Sequence, residues 1–119
     1  MGLDLEAAED DLLVAEGDFH NIDARSGSLD VVFTNSWDHA FDLSRAVGEA
    51  WRVLKPGGLL IVEAPMGRAR GAHVDPWDCL TWENVGDLVE YIVGFGFEVV
   101  GKCLFEFPWT GLETCLRKR

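Results

Sequence analysis

The stretch spanning residues 26–65 leaves this chain few folds to choose from. It reads SGSLDVVFTNSWDHAFDLSRAVGEAWRVLKPGGLLIVEAP: a strand, a helix, a hard stop and a second strand. Residues 29–33 are a short apolar run entered through Asp30, followed by the small polar residues Thr34, Asn35 and Ser36. A buried parallel strand ends in this way at a ligand crevice. Beyond it, Leu43, Ala46, Val47, Ala50, Trp51 and Leu54 recur at i, i+3, i+4, i+7, i+8 and i+11, the single apolar stripe of a helix. Asp42 is placed to cap the helix start, and Arg52 and Lys55 stand where its dipole favours cations. Pro56-Gly57-Gly58 predicts the stop, and residues 59–62 the start of the next strand. Strand, crossover helix and strand form a right-handed parallel unit, which makes the fold class α/β.

Two parts of this stretch, GSLDVVFTNSWDH and EAWRVLKPGGLLIV, together resemble the second half of a class I S-adenosylmethionine-dependent methyltransferase. That broad group methylates small molecules. The resemblance implies a Rossmann-like sheet, S-adenosylmethionine as cofactor and methyl transfer to a small-molecule acceptor. In the family the aspartate-led strand ends beside the cofactor's methyl group, which assigns Asn35 to that place. RVLKPGG corresponds to the turn into the following strand.

The rest of the composition narrows the partners. At 119 residues the chain is expected to be one domain, 1–119, with room for a modest core. A net charge of −11 would repel a phosphate backbone, which argues against a nucleic-acid partner. No apolar run is long enough to span a bilayer, and Glu6 stands where a myristoylation signal needs Ser or Thr, so no membrane partner is expected. Cys79, Cys103 and Cys115 show no C-x-x-C spacing, and without a signal peptide the expected compartment is the reducing cytoplasm.

Taken in order, residues 2–5 are a short strand candidate, and residues 12–19 a further strand ending in Gly17-Asp18. By resemblance, Asp4 accepts hydrogen bonds from the cofactor's ribose, Asp18 from the adenine amino group, and Phe19 packs beside the ring. The residues alone equally allow an ordinary N-terminal acid, a capping aspartate and a core phenylalanine. Residues 20–28 read as a polar loop turned by Gly27. His39 follows the strand end, where it can orient a substrate or act as a base, or simply begin the next helix. Residues 66–80 form a long connection leaving the carboxyl end of a strand, where open α/β sheets bind ligands. Its Arg68, Arg70, His73, Asp75, Trp77 and Asp78 are candidates for a substrate pocket. His73, Asp75, Asp78 and Cys79 match no metal-ligand spacing, and His20 is no better, so no metal site is predicted. Thr81 caps a second helix with Val85, Leu88, Val89 and Ile92 on one face, ended by Gly94 and Gly96. Residues 97–107, a turn at 108–111 and residues 112–116 predict a closing antiparallel hairpin, with Cys103 and Cys115 as buried neighbours. The family's final strand also runs against the others.

No G-x-G-x-G run precedes Asp4, so the family's first strand and glycine-rich loop have no counterpart in these residues. Such a loop lets backbone N–H groups meet the cofactor's carboxylate. Family topology places that first strand mid-sheet, between the second and the fourth. The expectation is therefore an N-terminally incomplete fold whose central strand lacks a neighbour. Within one chain, residues 12–15 can slide across to pair with it, or the loop from His20 can cover it. Otherwise the outcome is a homodimer or exchange of elements between chains. Two functional readings follow: a methyltransferase, completed or active, and a non-catalytic remnant acting as a binding or dimerisation domain.

Overall fold

The computed structural model describes residues 2–4, 14–16, 18–37, 40–65, 85–106 and 110–119, with only the main chain for the first two segments. Two short strands, β1 (Gly2–Asp4) and β2 (Val14–Glu16), pair in parallel as a sheet of their own. Then come β3 (Leu29–Thr34), α1 (Leu43–Val53), β4 (Leu54–Pro65), α2 (Val85–Val93), β5 (Phe97–Phe105) and β6 (Gly111–Lys118). The main sheet has the order β3-β4-β6-β5. β3 and β4 are parallel, and β6 runs antiparallel to both β4 and β5, so three strands share one direction. The parallel unit and the closing hairpin both stand as the sequence predicts.

The apolar stripe of α1 buries Ala46, Val47, Ala50 and Val53. Asp42 is its N-cap, with a carboxylate oxygen 3.1 Å from the Arg45 amide. The predicted stop is corrected in one detail: the helix ends at Val53, and Leu54 is already extended (ψ 139°) as the first residue of β4. Pro56 disfavours helical backbone at Lys55, so the chain straightens before the proline. Lys55-Pro56-Gly57-Gly58 becomes an irregularity inside the strand, with Leu29 opposite Leu54 but Val31 opposite Leu59. Gly58 is required there, since a Cβ would lie 2.8 Å from the Lys55 carbonyl oxygen.

Both helices cover the same face of the sheet. Leu60, Val62 and Ala64 of β4, Leu112 and Leu116 of β6, and Phe97 of β5 form one cluster with Val85, Leu88 and Ile92 of α2. Burying a Leu, Ile or Phe stabilises by about 1.5–3 kcal/mol, more than any single hydrogen bond, so this cluster holds the layers together. A smaller set of polar contacts decides where the irregular chain lies. Arg52 grips Glu49 through Nε and Nη2 at 2.8 Å each, and its guanidinium donates to the carbonyls of Ala24 (2.9 Å) and Ile22 (2.8 Å). Glu49 in turn accepts the Ile22 amide at 2.9 Å. The loop after His20 is thereby fastened to α1, not to the edge of β3.

The opposite face of the sheet carries Val31, Phe33, Leu59, Ile61 and Cys115, and no described helix lies over it. Val31 is 50% and Phe33 54% exposed. The cysteine expectation is corrected here: Cys103 and Cys115 do lie on the predicted hairpin, but Cys103 is exposed and Cys115 half-buried. Both face this uncovered side, opposite Glu113 and Gly101 respectively. The sliding of the second strand is also not taken, because Val14–Glu16 pairs with β1. Glu63 and Glu113 face each other across β4 and β6. Partial burial and then the neighbouring Glu113 carboxyl push the Glu63 carboxyl above its usual range.

Two consequences are measurable by urea unfolding. Arg52→Ala is expected to lower stability, since several hydrogen bonds of modest net worth go at once, and Arg52→Lys to recover less than half of the loss for lack of the planar fork. A carboxyl whose folded pKa is raised loses stability as pH climbs from its unfolded value to its folded one. Glu63→Gln should therefore be stabilising relative to the parent at neutral pH, with the advantage shrinking toward pH 4.

Candidate functional site

A cavity of about 340 Å³ runs along the free side of β3, bounded by Phe19, Ile22, Val31, Phe33, Trp37 and Ala46 among others. It lies at the lower end of the roughly 300–1,000 Å³ seen for small-molecule sites. Thr34, Asn35 and Ser36 reach its lining from the carboxyl end of β3, where open α/β sheets bind ligands. The Arg52 clamp is what sets its far wall, because it holds Ile22 against α1.

Next to this wall stands a residue that sequence reasoning passed over. His20 is 3% exposed. Its ring Nδ1 lies 2.7 Å from Asp18 Oδ1, and its main-chain N–H donates to the same oxygen at 2.8 Å. Nε2 accepts the amide of Asp42 at 3.2 Å, and the His20 carbonyl accepts from Arg45 Nε at 2.9 Å. The ring is stacked on Phe41 with centroids 3.8 Å apart and tilted toward Phe19 at 4.6 Å. The signal in the sequence is the Asp-x-His spacing, since an aspartate side chain closes a turn onto the amide two residues on. The main-chain bond first, then the imidazole, hold the Asp18 carboxyl below its ordinary range.

The predicted site residues are distributed as follows. Phe19 and Asn35 line the same cavity, while Asp18 precedes Phe19 in the chain and is bound to His20 rather than lining it. Asp4 ends β1 with its main chain in register with Glu16. His39 and His73 lie outside the described residues, as do the other candidates in 66–84. Among the described residues, no three His, Cys, Asp or Glu side chains are grouped to hold a metal ion. No described helix is long and apolar enough to cross a membrane.

This geometry has counterparts. The family described as methyltransferase domain matches residues 3–62, half of the chain. No curated protein matches. Among solved structures, the [4+2]-cyclase SpnF superposes with a TM-score of 0.70 at 19% identity, over 88% of this chain and 56% of its own. A Methanosarcina mazei S-adenosylmethionine-dependent methyltransferase gives 0.69 at 17% identity, over 88% and 66%. Burkholderia thailandensis 1,6-didemethyltoxoflavin-N1-methyltransferase, solved with its substrate and S-adenosylhomocysteine, gives 0.73 at 15% identity, over 88% and 50%. The chain thus spans between half and two thirds of the length of these relatives, and at such identities the likeness is one of fold.

The lowered Asp18 carboxyl carries a prediction. Its contribution is complete above the ordinary carboxylate range and is lost as pH falls through the folded value. The stability difference between the parent chain and Asp18→Asn, followed by chemical unfolding, is expected to hold from pH 7 to pH 5 and to close below pH 4.

Proposed function

The chain belongs to the methyltransferase domain family, and from that premise we propose that it supplies the nucleoside half of an S-adenosylmethionine site in a small-molecule methyltransferase. The observation that carries this reading is the cavity shared by Phe19 and Asn35 beside the carboxyl end of β3. Its chemistry suits a nucleoside. Phe19 and Ile22 offer an apolar wall for a purine face. Both described bonds of the Asp18 carboxylate fall on Oδ1, which leaves Oδ2 to accept from an exocyclic amine. Asp4 is assigned to the ribose hydroxyls.

When bound, the cofactor supplies a methyl group on a positively charged sulfur. The chain's own task is then to hold two partners in line. Asn35 is assigned to the methyl side, and His39 and His73 to orienting the acceptor or removing its proton. Among the described residues, the cavity lining includes no cation and no glycine to meet the cofactor's carboxylate. Several unmade hydrogen bonds of about 1–3 kcal/mol each lower affinity by orders of magnitude.

A second reading has its own observation. Val31 and Phe33 lie exposed on a face without a described helix, and no described strand pairs with β3 on the side away from β4. Such a surface suits a domain that self-associates rather than one that turns over substrate.

Calorimetric titration of the 119-residue chain separates the two. The nucleoside reading expects adenosine and S-adenosylhomocysteine to bind alike, with Kd in the range of about 0.1–10 mM, and Asp18→Ala to abolish both. Absence of adenosine binding overturns it. Light scattering on the same samples is expected to show a monomer if the first reading holds alone, and a dimer weakened by Phe33→Glu if the second does.

A further inference from the structure

We infer that His20 is a positioning residue that ties Asp18, the residue before the Phe19 wall, to the start of α1, so that the two sides of the cavity respond to a ligand as one body. Every polar group of this residue is engaged: the main-chain N–H and Nδ1 with Asp18, Nε2 with the Asp42 amide, and the carbonyl with Arg45. Nε2 faces a donor, so it carries no hydrogen, and the ring proton sits on Nδ1, pointed at the carboxylate. The other tautomer would set N–H against N–H on one side and a lone pair against a carboxylate on the other. A buried imidazole with both nitrogens committed has neither room nor a free lone pair to act as a base. Its effect is geometric.

The elements it joins are the ones that bound the cavity. Phe19 lines it and adjoins both Asp18 and His20, while Phe41 stacks on the ring one residue before the N-cap of α1. Ser36 and Trp37, which also line it, begin the connection that ends at Phe41 and Asp42. Asp18 and Asp42 share no direct hydrogen bond among those described, so the imidazole is their link. A change at the Asp18 carboxylate therefore reaches the helix start through one ring.

The consequence for ligand binding rests on the nucleoside reading above, whereas the linkage itself does not, and the experiment keeps them apart. The intact chain is labelled with ¹⁵N and studied by NMR at neutral pH. The expected His20 signature is a protonated Nδ1 and a bare Nε2. Asp18→Asn leaves the histidine in place, yet is expected to speed hydrogen exchange at the Asp42 amide by about tenfold, the worth of one buried hydrogen bond. In a His20→Asn background the same change at residue 18 should alter exchange at Asp42 by less than about twofold. If that background does not fold, the parent and the Asp18→Asn chain still decide the matter. A protonated Nε2, or an Asp42 amide indifferent to Asp18→Asn, overturns the inference. Adenosine added to the parent chain should slow exchange at Asp42. Unchanged exchange at saturating adenosine would overturn the ligand response, while failure to bind adenosine with the expected tautomer and linkage would overturn the nucleoside reading and leave the joint standing.

Discussion

The position of the irregular chain between His20 and Ser28 depends on Arg52. Its guanidinium lies on α1, locked to Glu49 three residues before it, and spends its remaining donors on the carbonyls of Ala24 and Ile22 and the hydroxyl of Ser26. Helix backbone carbonyls finish the fastening, with Gly27 donating to Arg52 and Ser28 to Val53 at 2.8 and 2.9 Å. A loop with that many polar main-chain groups needs partners for them, and here one charged side chain supplies several at once. Phe19 and Ile22 become a wall only because the chain between them and β3 cannot drift. The cavity is thus a by-product of how a loop satisfies its hydrogen bonds.

The same arrangement explains why the site is one-sided. Among the described residues, β1 and β2 pair with each other and β3 joins the main sheet through β4. The cavity follows the free side of β3, touching residues of both its faces, Val31 and Val32 alike. Apolar side chains and the small polar residues Thr34, Asn35 and Ser36 border it. Across the sheet, the Glu63–Glu113 pair shows how much less demanding the uncovered face is. Two carboxyls can sit opposite each other there because solvent shares the cost.

Much of this was legible in the residues. The stripe from Leu43 to Ala50, the Asp42 cap and the apolar run of β3 obey local rules, and the hairpin follows from two runs around a short polar turn. Residues 54–58 were harder, because Pro-Gly-Gly signals a break without saying whether the break falls outside a strand or inside one. Cys103 and Cys115 were placed on the right strands but read as buried, since alternation identifies a face without telling which face a helix covers. His20 was missed for a similar reason. Its Asp-x-His turn is local and was open to recognition, but the contact with the Asp42 amide, 22 residues away, leaves no spacing that would single the histidine out. The family likeness was carried by the 26–65 stretch, where strand, helix and turn are read together.

The position of β6 bears on how the chain assembles. It follows every other strand in the sequence, yet lies between β4 and β5 in the sheet. Lys118 near its end reaches back to donate to the Leu54 carbonyl at 2.8 Å and rests over the Trp51 ring at 3.8 Å, closing the corner where α1 turns into β4. Gly96 leaves room for that ring, since a Cβ there would approach Trp51 Nε1 to 2.9 Å. Among the described strands β5 meets the rest of the sheet through β6, so the last strand carries both its neighbours. The Lys118–Leu54 hydrogen bond spans 64 residues of sequence, so it closes a far longer loop than any turn of α1 and ties the start of β4 to the end of the chain's last strand.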